Sequence, residues 1–347
     1  MLPFFAALVA ASTAVLIFAG GLVTSTGSGL SVPDWPNTYG WFMWAFPMSK
    51  MVGGIFYEHA HRLIASTVGF LILVLAIWLG RAEPRRWVRR LGYLALGAVI
   101  AQGILGGITV LWYLPDAISI AHASLAHIVF CLTVTIALAT SPGWKRAYGE
   151  LPTPNSQLPR RLHSPDDRTL RRIAIVTTAI VYVQILIGAT MRHTGAGLAI
   201  PDFPLSFGHL IPPIWDSKIA IHFAHRVGAA TVTLLILATA GRVLFHHGSR
   251  SELRRPAILL LLLVTLQITL GALTVLSHKQ FIINSLHVVN GALVLVTSLV
   301  LTLRAHRARF AGSAADVAER DPAYVRGAGA TPRDDQAGAW TRRGAGA

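Results

Sequence analysis

One stretch of this chain is written twice. Residues 26–36, TGSGLSVPDWP, return as 194–204, TGAGLAIPDFP, identical at seven of eleven positions and 168 residues further on. His61-Arg62 returns as His225-Arg226 at an offset of 164. Residues 102–111, QGILGGITVL, return as 267–276, QITLGALTVL, with six of ten identical, and His122 maps onto His287. A period this long describes two equivalent halves. Each half repeats two histidines beside apolar segments, and imidazole is the commonest protein metal ligand.

The chain is too apolar for a water-soluble domain. Of its 347 residues 53% are hydrophobic and 13% charged, against roughly 25% charged in soluble domains. Eight continuous apolar runs of bilayer length stand out, near 3–24, 61–80, 89–112, 117–140, 171–191, 219–241, 256–277 and 281–303. Continuous runs predict helices; a barrel strand would alternate over about ten residues. The first run lacks the basic start of a secretory signal and has an internal counterpart at 171–191, so it reads as a retained helix.

The net charge of +15 follows topology rather than nucleic acid. Arginines crowd the connections between runs two and three (Arg81, Arg85, Arg86, Arg89, Arg90), four and five (Arg160, Arg161, Arg168, Arg171, Arg172 with Lys145 and Arg146), and six and seven (Arg242, Arg250, Arg254, Arg255). The alternate connections hold only Lys50, Arg192, Lys218 and Lys279. This positive-inside pattern predicts both termini in the cytoplasm and the duplicated loops outside. The single cysteine, Cys131, excludes an intrachain disulfide and a thiolate cluster.

The expected architecture is an all-α integral membrane protein, with two duplicated four-helix bundles related by a pseudo-twofold along the membrane normal. Its parts are an N-terminal bundle (1–140), a cytoplasmic linker (141–170), a C-terminal bundle (171–305) and a disordered cytoplasmic tail (306–347). The outer loops carry aromatics, including Trp35, Trp41 and Trp44 in the first and Phe203 and Trp215 in the second. They suit either headgroup anchoring or a lid over an apolar ligand.

His61 and His122 open the second and fourth helices, at one depth near the outer face; His225 and His287 repeat this. Two imidazoles facing across a bundle suit a haem iron, whereas zinc wants three or four ligands. Arg62 and Arg226 are candidates to pair with haem propionates. Gln102 and Gln267 are duplicated polar residues that hydrogen-bond across helices or support a ligand histidine. The repeat breaks at Glu58, one turn before His61, whose counterpart is His222. The first half thus has an acid/base candidate that the second lacks, which predicts chemistry in the first and a retained cofactor in the second.

The motifs GLVTSTGSGLSVPDWP, EHAHR and QGILGGITVL with His122 downstream, each echoed in the second half, resemble the haem A synthase family over about 15–305. The resemblance implies a prokaryotic cytoplasmic-membrane enzyme that oxidises the C8 methyl of haem O to a formyl group. It implies His61 and His122 around the substrate haem, His225 and His287 as ligands of a haem b cofactor, and Glu58 as the residue important for activity. It adds Arg192 as a propionate contact; Thr24 stands where the first half often has an arginine. Some members carry a cysteine pair in the first outer loop, and residues 25–57 have none. The implied partners are haem O, the lipid bilayer, a haem O synthase and an electron acceptor, with homo-oligomerisation open. Two rival classes share some features. A two-haem electron carrier would set its haems on opposite sides of the membrane, and a transporter would need broken helices and a midplane polar site.

Overall fold

The computed structural model describes residues 1–149 and 167–307. Nine α-helices form among them: α1 (Leu2–Ser25), α2 (Gly53–Ala82), α3 (Arg86–Leu111), α4 (Asp116–Thr140), α5 (Pro142–Gly149), α6 (Arg168–His193), α7 (Ser217–His247), α8 (Ser251–Leu276) and α9 (Phe281–Ala305). All but α5 are long and apolar enough to cross a membrane. Lipid offers backbone groups no hydrogen-bond partner, so a spanning segment must satisfy them within itself, and the helix does so. The protein is an eight-span integral membrane protein. Short α5 lies in the segment expected to be a linker, and α6 begins at Arg168 inside it; residues 150–166, and the tail expected to be disordered beyond Arg307, lie outside the described residues.

The helices of each half close a ring: α1–α2–α3–α4 and back to α1, then α6–α7–α8–α9 and back to α6. The halves meet through α1 with α9, α4 with α6, and α4 with α9. Exchanging the halves turns this pairing scheme into itself. One apolar core fills each ring, around Ile72, Leu75 and Ile136 in the first and Ile236, Leu260 and Leu295 in the second. A third cluster, Ile17, Phe130, Ala292 and Val296, lies between them. Residues 1–305 therefore form one compact unit.

Side-chain caps differ between the halves, being absent at α1 and α2, while two helix corners repeat. Asp167 and Asp216 cap α6 and α7, accepting from the N–H groups of Leu170 and Ile219 at 2.9 and 2.7 Å. The α3–α4 and α8–α9 corners turn through two non-glycine residues at positive φ, Tyr113-Leu114 and His278-Lys279. In each corner the second N–H returns to a carbonyl five residues back, Leu114 to Thr109 at 2.7 Å and Lys279 to Thr274 at 2.8 Å.

α2 starts eight residues before His61, and α4 six before His122. The sequence expectation put these histidines at the helix openings, because only apolar residues were counted. α2 reaches further out, and the polar residues of its second turn, Glu58 and His59, find partners in the loop above.

The halves approach closely at Gly21 of α1, where an added Cβ would stand 3.4 Å from Cβ and 3.5 Å from Cα of Ser285 on α9. A methyl fits there and a longer side chain does not. Gly21→Ala should keep the thermal stability of the detergent-solubilised protein, and Gly21→Leu should lower it by about 1–3 kcal/mol through overpacking. Equal unfolding curves for both variants would contradict this contact.

Candidate functional site

Each duplicated loop folds on its aspartate. The Asp34 carboxylate accepts from the N–H groups of Tyr39 and Gly40 at 2.7 and 2.8 Å, and Asp202 accepts from Phe207 and Gly208 at the same distances. Tyr39, Gly40, Phe207 and Gly208 all have positive φ, and the Trp35–Pro36 and Phe203–Pro204 peptide bonds are both cis. A two-residue bridge closes each turn, Thr38 with Trp41 and Ser206 with His209.

An arginine fastens each loop to the helix below. Arg62 on α2 donates to the carbonyls of Val32, Asp34 and Asn37 at 2.7–3.0 Å. Arg226 on α7 donates to those of Ile200, Asp202 and Leu205 at 2.6–3.3 Å. These two residues were expected at propionates; in the structure their terminal nitrogens donate to loop carbonyls. A planar guanidinium, with its five fixed donors, suits a set of converging carbonyl oxygens.

Glu58 is buried beneath the same loop. One carboxylate oxygen accepts from the Val32 N–H at 2.9 Å, and the other pairs with Arg62. In the second half the Nδ1 of His222 accepts the Ile200 N–H at 3.2 Å. The backbone bond is the same, and the buried carboxylate is replaced by an imidazole. His59, two residues before His61, is turned to the loop and bonded to Thr38 Oγ1 at 3.0 Å.

The four repeated histidines share one packing device. An added Cβ would stand 3.1 Å from His61 Cε1 at Gly20, 3.2 Å from His122 at Gly106, 3.0 Å from His225 at Gly188 and 3.1 Å from His287 at Gly271. Each ring therefore lies against a bare stretch of the preceding helix. The His225 and His287 ring centres are 6.4 Å apart at an interplanar angle of 66°. His61 and His122 are close enough for charge on one to act on the other. All four residues are partly exposed. Yet Nδ1 of His61, His122 and His287 is fully buried with no partner among the described residues, so the accessible part of those side chains is not that nitrogen.

Glutamines steady three of the four. The amide nitrogen of Gln102 donates to the His122 carbonyl at 2.8 Å, that of Gln184 to His225 at 2.7 Å and that of Gln267 to His287 at 3.1 Å. In the second half the amides also reach the rings. Gln184 lies 3.0 Å from His225 Nδ1 and Gln267 3.3 Å from His287 Nε2, with Asn290 donating to Gln267 at 2.7 Å. Leu16 and Leu125 occupy the places of Gln184 and Asn290 in the first half. Gln184 escaped the sequence reading because its counterpart is apolar. The glycines had a legible signal, since Gly20 and Gly106 recur at the offsets of their neighbouring motifs.

Arg192 reaches across to the first half, donating to the Gly21 carbonyl at 2.7 Å and Ser25 Oγ at 2.8 Å. Its Nε is buried without a partner among the described residues. His127 is turned to its own helix, with Nδ1 2.8 Å from the Ala123 carbonyl.

Fold and site together define a helical membrane protein that offers paired imidazoles. Among the described residues no three or more His, Cys, Asp or Glu side chains gather as a metal-ion site would require. Two metal–imidazole bonds of about 2 Å, with roughly 1 Å more from each nitrogen to its ring centre, span about 6 Å; the second-half pair matches this.

Comparison with known proteins places the chain. The family model described as cytochrome oxidase assembly protein (COX15-CtaA) matches residues 4–300. Heme A synthase of Symbiobacterium thermophilum is 33% identical over 288 residues, covering 80% of this chain and 87% of the relative. Heme A synthase of Geobacillus kaustophilus is 26% identical over 330 residues, covering 94% and 99%. That of Chelativorans sp. is 29% identical over 307 residues, covering 75% and 79%. The chain belongs to the COX15-CtaA cytochrome oxidase assembly family.

The loop aspartates give the site a pH signature. Burial alone would raise the Asp34 carboxyl, but the N–H groups of Gly40 and Tyr39 and the charge of Arg62 hold it below its ordinary 3.8. For Asp202 the Gly208 N–H acts most strongly; it outweighs burial and is joined by Phe207 and Arg226, again holding the carboxyl below its ordinary value. A carboxyl lowered in the folded state stabilises fully above its unfolded value, and that contribution vanishes as pH falls through the folded one. Amide protons of Tyr39, Gly40, Phe207 and Gly208 should therefore be protected from exchange at neutral pH and lose protection only below the ordinary aspartate value. Asp34→Ala should expose Tyr39 and Gly40 at every pH. Protection indifferent to both acid and the substitution would show that the aspartates do not hold these turns.

Proposed function

We propose that this chain makes haem A by oxidising the C8 methyl group of haem O to a formyl group, with the substrate in the first-half bundle and a haem b cofactor in the second. The supporting observation is the pair of imidazoles 6.4 Å apart, backed by glycines and braced by glutamines. In net terms a methyl and the elements of water become a formyl, four protons and four electrons, and the electrons leave to an external acceptor. No side chain performs such a step; bound haem iron supplies the redox chemistry, and the protein supplies position and electrostatics.

In this reading His225 and His287 hold the cofactor, and the Gln184 and Gln267 amides fix these two residues through their backbone carbonyls. His61 and His122 hold the substrate without polar contacts to their rings, which suits a molecule that must enter and leave. Glu58 sits one turn from His61, held by Val32 and Arg62, and manages proton release or stabilises positive charge as the methyl is oxidised. Trp35 closes over α3, its ring occupying the space that a Cβ on Gly107 would need. In the second half Phe203 and Ala272 stand at the equivalent sequence positions. The basic connections all fall at the ends of the helices away from the duplicated loops, which supports cytoplasmic termini and sites near the outer face. Because both histidine pairs lie toward the loop end, passage of electrons across the membrane between two haems is the weaker reading.

Glu58→Gln keeps an oxygen for the Val32 N–H and removes the charge. It should lower conversion of haem O to haem A by about 10²-fold or more with haem b content unchanged, read by chromatography of extracted haems. Full conversion in that variant would end the proton role. Gly188→Val should push the His225 ring from its seat and weaken haem b retention roughly 10- to 100-fold, read as the haem-to-protein absorbance ratio after purification. Unchanged retention would show that the glycine seat does not position the ligand.

A further inference from the structure

In the first half the outer loop crosses from α2 to α3 between Val32 and Trp35. The Val32 N–H donates to Glu58 on α2 at 2.9 Å, and the carbonyls of Val32 and Asp34 accept from Arg62 on the same helix. Trp35 then lies on α3. A Cβ added at Gly107 would stand 2.6 Å from Trp35 Cδ2, 2.7 Å from Cε2 and 2.9 Å from Cε3. The first two atoms form the bond shared by the two rings, and a third atom comes that near to both only through the face of the indole. Gly107 therefore lies beneath the flat of the ring, and even a methyl group there would lift it. The loop meets the end of α3 once more, where an added Cβ at Gly29 would stand 3.3 Å from the Leu114 side chain.

The crossing runs from Arg62, the neighbour of His61, to Gly107, the neighbour of the Gly106 seat on which the His122 ring rests. The indole thus roofs the histidine pair on the side where α2 meets α3. Its backbone is held on both sides: one Arg62 nitrogen donates to the carbonyls of Asp34 and Asn37, at 2.7 and 3.0 Å. Its side chain is not so bound. Trp35 is 42% exposed, and rotation about its own side-chain bonds lifts the ring outward while the loop stays in place. The second half keeps the anchors and lacks the roof. Arg226 holds the equivalent carbonyls of Asp202 and Leu205. Ala272 supplies the very Cβ for which the indole leaves no room, and the Phe203 ring has the Arg226 guanidinium 5.9 Å from its centre.

We propose that Trp35 is a side-chain gate that retains the half-oxidised porphyrin in the first half between two oxidation steps. The proposal rests on the reading of that half as the haem O site. In the first step a methyl group and the elements of water give a hydroxymethyl group, two protons and two electrons. In the second the hydroxymethyl group gives a formyl group, two protons and two electrons, and both electron pairs pass to the external acceptor. A hydroxymethyl porphyrin is a complete molecule, so its release competes with its second oxidation. A bundle that exchanges its occupant needs a closure that opens slowly against that second step. A broad aromatic ring laid across the rim, on a backbone that does not yield, supplies one and offers the porphyrin an aromatic contact. A half that keeps its occupant needs no such gate, and the second half has none.

The experiment uses membranes of cells that make haem O and carry the full-length chain as their sole means of oxidising it, so that substrate and acceptor are both present. Extracted haems are separated by chromatography. The readout is the ratio of hydroxymethyl to formyl product, because a defect of the fold lowers total conversion without changing how an intermediate partitions. Trp35→Ala and Gly107→Ala should each raise that ratio about tenfold, the scale of one lost aromatic contact. Trp35→Phe combined with Gly107→Ala copies the pair that the second half already packs. It should raise the ratio likewise, with haem b content and thermal unfolding matching the parent. Trp35→Phe alone, which leaves Gly107 bare to receive a ring, should stay closer to the parent. An unchanged ratio in the alanine and double variants, whether or not total conversion falls, would overturn the gate and leave the haem O reading standing. A parent that converts no haem O would overturn that reading and the gate with it.

Discussion

Each long outer loop is held by a guanidinium reaching up from the helix beneath it. The rest of the site depends on that interaction. Without Arg62 and Arg226 the loop carbonyls at the end of each bundle would have to find water, and the loops would not lie over the helix ends. With them, a loop that contains almost no regular structure becomes a fixed lid. Its own N–H groups are turned onto Asp34 or Asp202, and one more is turned down onto Glu58 or His222. The result is a bundle closed by a polar cap whose hydrogen bonds are internal, as a low-dielectric setting demands.

Below the cap the two halves share one scaffold, and the proposal gives them two different tasks. The glycine seats behind the four histidines fix where the rings stand, and they are the same in both halves. What differs is the surrounding polarity. The second half adds Gln184, Asn290 and the cations Arg192, Lys218 and Lys279. The first half has Leu16, Leu125 and neutral residues in those places, and it alone has a buried carboxylate. A site rich in fixed donors and charge suits a permanent anionic occupant, while an apolar site with one carboxylate suits a transient one beside reactive chemistry. Divergence after repetition explains this economically, because changing a few side chains leaves helix packing untouched.

Much of the site was legible because repetition marks it. His61, His122, His225 and His287 stand out against the other histidines only by recurring, and Glu58 stands out by failing to recur. Residues acting in one half alone carried no such mark. Gln184 faces Leu16 across the repeat, and Trp35 was one of several aromatics in the outer loops. The arginines carried a related ambiguity. Their chemistry, a fork that grips planar oxygens, was read correctly, but sequence does not tell a propionate from a converging set of loop carbonyls.

The sequence alone determined the number of spans and the recurrence of the histidines, since these depend on hydrophobic length and repetition, both one-dimensional properties. It also pointed to the family through motifs that occur in order and twice. Only the tertiary structure decided how deep the histidines lie, which residue backs each ring, where the arginines donate and what the Trp35 ring rests on. Those outcomes depend on distances between segments on different helices and loops. Such distances are set by helix packing and loop hydrogen bonding, which no local pattern of residues encodes.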